Sequence, residues 1–297
     1  MHGHSIGLIG LGRTGLPLAL NLRERGHDVV GFRRSDASAF VAGGGRLVKS
    51  PRAVAEATDV VLTCLPSASA LEEVMVGEGG MLAALGPRHV VAEVGSMPLA
   101  VKERWRAALA ERGAAFVDGE ISGTPAMTAA RVSVVLLAGD RDVCTRLVTL
   151  CKDASDHCIY AGDFGAATKL KLVANVLVAV HTAAAAEAML LVERSGLDKA
   201  LAIEVLGLGA GASTMLRQRA GSMAARKFVD PAPGPVAMLA AYLDPIRELA
   251  QSASSPTPLF DIASDLLRSA VAEGKSSHDI GCVIDQLDAH ARKEKSR

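Results

Sequence analysis

The 297-residue sequence predicts an α/β domain on a doubly wound, mostly parallel sheet, followed by an all-α domain joined to it by a long helix. Three observations carry this. Short apolar runs of strand type alternate with helix-patterned stretches up to about residue 162. A glycine-rich turn joins the first strand to the first helix. Glycine and proline are then missing from residue 166 to 195, and helical patterning continues to the end. A chain of this length exceeds what one core usually supports, so the domains are drawn at 1–162 and 163–297.

In order, Ser5 to Ile9 reads as a buried strand, and Arg13 to Arg25 follows with helical spacing of Leu16, Leu20 and Leu22 before Gly26 stops it. Further strands are expected at His27 to Phe32, Asp59 to Leu65, His89 to Val94, Ala114 to Val117, Arg131 to Ala138 and His157 to Ala161. Gly162-Asp-Phe-Gly165 punctuates the chain. The helix from Ala166 to about Ser195 would be ~45 Å long, too long for one small domain to wrap, so it is expected to run between domains or subunits. Beyond it, Asp198 to Leu206, Val236 to Ser252, Pro258 to Glu273 and His278 to Ala291 read as helices. The closing run Ala291 to Arg297 reads as a solvated helix end.

Apolar residues make up 49% of the chain, with few aromatics, which suits parallel strands and close-packed helices. A formal net charge of +0 provides no global field for nucleic acid or anionic lipid. Five cysteines without a CxxC pair point to a reducing, cytoplasmic setting. Cys144, Cys151 and Cys158 recur every seven residues, but the span crosses helix-like and strand-like sequence, and no metal is assigned. The N-terminal stretch lacks a signal-peptide pattern and no uninterrupted apolar run reaches ~18 residues, so neither export nor a membrane span is expected. His2 and His4 are assigned nothing.

Gly10-Leu11-Gly12-Arg13-Thr14-Gly15 lies between a strand and a helix, the context that separates a dinucleotide fingerprint from ordinary loop chemistry. The first glycine serves the tight turn, the second lets backbone approach a pyrophosphate, and the third lets helix pack on strand. This predicts a Rossmann domain. At the end of the second strand, where NAD-binding chains place a carboxylate for the ribose hydroxyls, the sequence reads Phe32-Arg33-Arg34-Ser35. Two guanidiniums and a hydroxyl suit a 2′-phosphate, so NADP(H) is expected ahead of NAD(H); a solvated basic turn is the alternative.

Lys171 and Asn175 stand four apart on one face of the long helix, while Lys169 points elsewhere. An ammonium beside an amide could exchange a proton with a carbonyl or hydroxyl oxygen. Spacing alone fits an ordinary surface lysine and a helical asparagine better.

The chain resembles the β-hydroxyacid dehydrogenase family, which includes 3-hydroxyisobutyrate dehydrogenase, over nearly its whole length. The resemblance is carried by Ile6 through Gly15 with Pro17 and Asn21-Leu22, by Cys64-Leu65-Pro66, by Asp118-Gly-Glu-Ile-Ser-Gly123, and by Gly162-Asp-Phe-Gly165 with Lys171-Leu-Val-Ala-Asn175 and Ala186-Glu187-Ala188. It implies that Leu65 and Pro66 bind the cofactor, that Ser96 lies near the nicotinamide and meets the substrate, and that Ser122 and the Gly123 backbone bind a substrate carboxylate, with Thr124 beside them. It also implies Lys171 as the acid/base, Asn175 as its orienting partner, and a homodimer or homotetramer.

Three family glycines are replaced, by Thr124, Met127 and Arg131, which would crowd or reshape the substrate turn. The family's later Lys-Asp pair is absent, and Tyr242 falls at or beside it, either as cover for a helix junction or as a pocket hydroxyl. The expected activity is hydride transfer between NADPH and a small β-hydroxyacid or semialdehyde. An imine or ketone reductase on the same scaffold is the neighbouring reading, although similar imine reductases usually carry another residue at Lys171. A non-catalytic dinucleotide-binding module is the distant one.

Overall fold

The computed structural model describes residues 4–295. His2, and Ser296 and Arg297 of the charged terminal run, lie outside the described residues. The chain divides into two compact units, Met1–Lys171 and Leu172–Arg297.

The first unit contains one sheet of β1 (Ser5–Ile9), β2 (Asp28–Phe32), β3 (Arg46–Leu47), β4 (Val60–Thr63), β5 (Val90–Glu93), β6 (Ala115–Ser122), β7 (Val134–Ala138) and β8 (His157–Gly162). Their order is β3-β2-β1-β4-β5-β6-β7-β8. All neighbours pair in parallel except β6 and β7, which are antiparallel. The doubly wound, mostly parallel expectation therefore holds. The sequence pattern misses β3, an edge strand of two residues, which is too short to show any alternation. It also ends β6 too early. The strand continues through Asp118, Gly119, Glu120, Ile121 and Ser122, each paired with β7, so the motif Asp118–Ser122 is itself a buried strand.

Cores form on both faces of this sheet. Ile6, Leu8, Leu62 and Leu137 pack on one side, and Ile9, Val61, Val91 and Trp105 on the other. Cys144, Cys151 and Cys158 fall in the first of these cores, and all five cysteines are free. The seven-residue recurrence does bring the three into one core, where the neighbouring Cys158 and burial raise the Cys151 thiol well above its ordinary value.

Asn21, on the helix Gly15–Glu24 behind the glycine loop, is buried, and its Nδ2 donates to the Thr128 carbonyl at 2.7 Å and the Ala154 carbonyl at 2.8 Å. One amide thus ties that helix to the short helix Pro125–Ala129 and to the turn that precedes β8.

The second unit is helical. The long helix spans Ala166–Arg194, and its Ala179, Ala185, Ala186, Met189 and Leu190 enter a core with Leu216, Met223, Leu243, Phe260 and Leu267. By length and composition this helix could cross a membrane, with mean hydropathy 1.7 over its best window, a match the search for an uninterrupted apolar run misses. Of that window 44% is buried, and the helix also exposes Leu170, Val173, Leu177 and Leu191.

Two helical expectations are corrected. Val236 to Ser252 is two helices, Val236–Ala240 and Leu243–Ser252, because Pro245 has no N–H to donate and is accommodated in the first turn of a new helix. A helix at Thr214–Ala225 escapes the sequence reading although Ser213 caps it, accepting from Leu216 N at 3.1 Å. The terminal helix, Val283–Lys295, is preceded by a 3-10 turn at Ile280–Cys282.

Replacing Asn21 by Ala takes this donor from two buried carbonyls, of which that of Thr128 keeps Arg131 N at 3.0 Å. The Asn21→Ala variant is expected to lose about 1–3 kcal/mol of stability in urea unfolding; an unchanged midpoint would show that the tie contributes nothing.

Candidate active site

The glycine loop follows β1 at the switch point of the sheet, where β1 lies between β2 and β4. Gly10 has φ +99°, and a Cβ there would lie 2.2 Å from the Cys64 carbonyl oxygen; at Gly15 it would lie 2.1 Å from that of Gly10. These two glycines are demanded by close backbone approach. A Cβ at Gly12 would meet nothing within 4 Å, so the protein itself leaves this position open. An open backbone cradle before a helix N-terminus fits a dinucleotide pyrophosphate.

Arg33, just past β2, donates from Nη1 to the Leu11 carbonyl at 2.6 Å and from Nε to Ser35 Oγ at 2.8 Å. Its guanidinium is thereby fastened to the glycine loop. Arg34 is exposed and paired with Glu73. Leu65 and Pro66 follow β4, and a Cβ at Gly95 would fall 2.8 Å from the Leu65 carbonyl oxygen. The fold thus brings the glycine loop, Leu65 and the Gly95-Ser96 turn into one neighbourhood.

The C-terminal half of β6 carries the second cluster. Asp118, Glu120 and Ser122 share a strand face, and Lys102 projects at it from the helix Leu99–Ala110. Lys102 is completely buried, and its Nζ donates to Asp118 Oδ1 at 2.9 Å, the Gly119 carbonyl at 2.7 Å and Glu120 Oε1 at 2.9 Å. The first turn of the long helix joins in. Thr168 N and Oγ1 donate to Asp118 at 3.1 and 2.7 Å, and Lys171 Nζ donates to the Ile121 carbonyl at 3.0 Å. Ser96 Oγ donates to Glu120 Oε2 at 3.2 Å. Glu93, at the end of β5, accepts from Thr63 Oγ1 and from Gly95 N, the latter at 2.6 Å.

Burial dominates the electrostatics. It lowers the proton affinity of Lys171 below that of an ordinary lysine, partly opposed by the charge of Glu120. It also raises Glu120 against the pull of Lys102, and pushes Glu93 up to about 7 and the Cys64 thiol up to about 12. Lys102 is pulled down by burial, but Glu120, Asp118 and Glu93 more than offset this and raise it.

Lys171, Ser96 and Ser122 are therefore gathered around the end of β6. Thr124 caps the short helix Pro125–Ala129, accepting from Met127 N at 3.2 Å, which commits its hydroxyl to the turn. Arg131, one of the three replaced glycines, keeps a left-handed backbone at φ 64°. Its guanidinium secures that turn, donating to the carbonyls of Asp153 and Lys152 and to Asp156 Oδ1. Asn175 lies one turn beyond Lys171 on the same helix, buried, with Nδ2 unpartnered among the described residues. Tyr242 belongs to the second unit, where it immediately precedes the helix Leu243–Ser252 and packs on its core.

Sequence reading passed over Lys102, Glu93, Glu120 and Thr168. The signal for Lys102 was present: it stands three before Trp105 and seven before Leu109, on the apolar face of its helix.

Comparison with known proteins places this geometry. Residues 5–162 match the model of the NAD binding domain of 6-phosphogluconate dehydrogenase, and residues 165–287 that of the NAD-binding region of NADP-dependent 3-hydroxyisobutyrate dehydrogenase. The chain is 28% identical to an NAD-dependent L-serine dehydrogenase of Pseudomonas aeruginosa, over 95% of this chain and 97% of that one. It is equally 28% identical to a 2-(hydroxymethyl)glutarate dehydrogenase of Eubacterium barkeri, over 94% and 93%. A 3-hydroxyisobutyrate dehydrogenase of Salmonella typhimurium shares the fold with a TM-score of 0.84 at 24% identity, covering 95% of this chain and 99% of that one. With family models matching consecutive stretches from residue 5 to 287, the chain belongs to the β-hydroxyacid dehydrogenase family of NAD(P)-dependent enzymes.

Proposed function

We propose that the protein is an NADPH-preferring oxidoreductase acting on a small β-hydroxyacid or acid semialdehyde, with Lys171 as its proton-transfer residue. The observation that carries this reading is the placement of Lys171 Nζ on the Ile121 carbonyl, one residue before Ser122 and Gly123. An ammonium so placed, partly stripped of water, adjoins the serine and backbone that would hold a substrate carboxylate. NADPH, when held by this domain, would supply the hydride for the substrate carbon; Lys171 would give its proton to the oxygen of the forming alcohol in reduction and take it back in oxidation. Asn175, one turn on, is the candidate for orienting the reacting oxygen.

Gly10 to Gly15 would hold the cofactor pyrophosphate. Arg33, Arg34 and Ser35 would hold the adenosine 2′-phosphate, with Leu65, Pro66 and Ser96 toward the nicotinamide. Support for NADPH over NADH comes from Arg33-Arg34-Ser35 standing directly after β2, with Asp36 past that point and bonded to Ser38, and from the anchored Arg33. The same reading assigns the cofactor-binding domain to 1–162, which also carries Ser122 and Gly123, and a helical substrate and dimerisation domain to 163–297, a division near the junction between the two family matches. Five free cysteines support a cytoplasmic setting. Assembly as a homodimer or homotetramer is supported by exposed Leu201, Val205 and Leu208 on the helix Lys199–Leu208.

The Lys171→Ala variant is expected to lose ~10²–10⁴-fold in turnover of an acid semialdehyde, followed at 340 nm, while NADPH fluorescence titrations stay unchanged. Undiminished turnover would remove Lys171 from the mechanism. Oxidation needs the neutral amine and reduction the ammonium. In the wild type the oxidation rate should therefore rise, and the reduction rate fall, through a pH below the ordinary lysine value of ~10.4.

Replacing Arg33 and Arg34 together by Ala should raise KM for NADPH about tenfold or more with little change for NADH. Equal effects on both cofactors would remove the 2′-phosphate assignment. Sedimentation at micromolar concentration should show a dimer or larger; a monomer contradicts the assembly.

A further inference from the structure

Two buried carboxylates face one buried ammonium on β6. Asp118 alone could neutralise Lys102, to which it is bonded at 2.9 Å, and it is also satisfied by Thr168. Glu120, 1% exposed, is a second negative charge on the same ammonium at 2.9 Å. An excess buried charge is costly unless a further cation compensates it. Lys171, bonded to the carbonyl next to Glu120, is that cation. With Lys171 protonated, two ammoniums balance Asp118 and Glu120; once Lys171 gives up its proton, these two carboxylates share the one ammonium of Lys102, beside Glu93, which burial pushes up to about 7. Glu120 Oε2, meanwhile, receives the exposed hydroxyl of Ser96.

We propose that Glu120 is a positioning residue for the hydride-transfer chemistry, one carboxylate oxygen gripped by Lys102, the other holding the hydroxyl of Ser96, and its charge retained beside Lys171. The proposal rests on the functional reading above. Glu120 contacts neither substrate nor cofactor in this role; it acts through Ser96 and Lys171. Its charge favours the ammonium form of Lys171, against the burial that favours the amine, and so keeps a donor ready for the reductive direction. The groups that bear on this balance are Lys102 from the helix Leu99–Ala110, Asp118 from β6, Glu93 and Cys64 from the ends of β5 and β4, and Lys171 itself.

The test uses the full-length chain labelled with 13C-lysine, with the Lys171 13Cε signal assigned by its loss in Lys171→Arg. Glu120→Gln removes the charge and keeps the shape; Glu120→Asp keeps the charge and withdraws the carboxylate from Ser96. In Glu120→Gln, Lys171 is expected to titrate at lower pH than in the wild type, with the falling limb of the reduction profile displaced in the same direction. Reductive kcat should drop ~10-fold, a smaller loss than Lys171→Ala produces, while NADPH binding is unchanged. In Glu120→Asp, the Lys171 titration should stay near that of the wild type while kcat still falls. Glu93→Gln identifies any limb near pH 7 that belongs to Glu93.

A Lys171 titration and kcat that are the same in the wild type and both variants would overturn the proposal. Should Glu120→Gln fail to fold, an unchanged kcat in Glu120→Asp overturns it alone. If the wild type turns over no acid semialdehyde, the functional reading fails, and the lysine titration still decides whether Glu120 governs Lys171.

Discussion

The interaction on which the first unit depends is the grip of Lys102 on β6. A strand carrying Asp118 and Glu120 on one face cannot enter a sheet interior without compensation, because each ionised carboxylate loses its hydration there. Lys102 supplies a charge and hydrogen bonds to both, from a helix position that would otherwise bury an apolar side chain. The strand can then remain extended to Ser122, delivering the serine and Gly123 to the place where the long helix presents Lys171. Thr168 closes the arrangement by bonding Asp118 from the first turn of that helix. Packing, charge balance and the position of the Lys171 amine are thus one problem with one solution.

The cofactor side follows a different constraint, the close approach of backbones. Gly10 and Gly15 are glycine because the glycine loop, the start of its helix and the end of β4 leave no room for a Cβ. Gly12 has room, and its lack of a side chain makes sense only for a group that comes from outside. At Arg131 the backbone still adopts a conformation that favours glycine, but an arginine occupies it and uses its side chain to secure the neighbouring turn. The same backbone need is met there by hydrogen bonds rather than by a small residue.

Much of the fold was legible because its signals are local. Strand β1, the glycine loop and the following helix are contiguous, and their pattern needs no knowledge of the rest of the chain. The long helix was legible for the same reason, from the missing glycine and proline. Elements whose identity depends on partners far away were not. The extension of β6 carries Asp118 and Glu120, whose compensation comes from residue 102, far away in the sequence. The break before Leu243 depends on where one proline falls within a turn, and β3 exists only as the partner of β2.

By itself the sequence determined a doubly wound sheet, a helical second unit, a dinucleotide loop with two arginines where a carboxylate would select NAD, and a lysine and asparagine on one helix face. These depend on residue type and spacing along the chain. Only the tertiary structure decided that Lys171 meets the carbonyl of Ile121, that Ser96 meets Glu120, and that Lys102 holds two carboxylates at once. Hydrogen bonds and Coulombic attraction act through space over a few ångströms, and only the folded sheet brings residues 96, 102, 120 and 171 within that range.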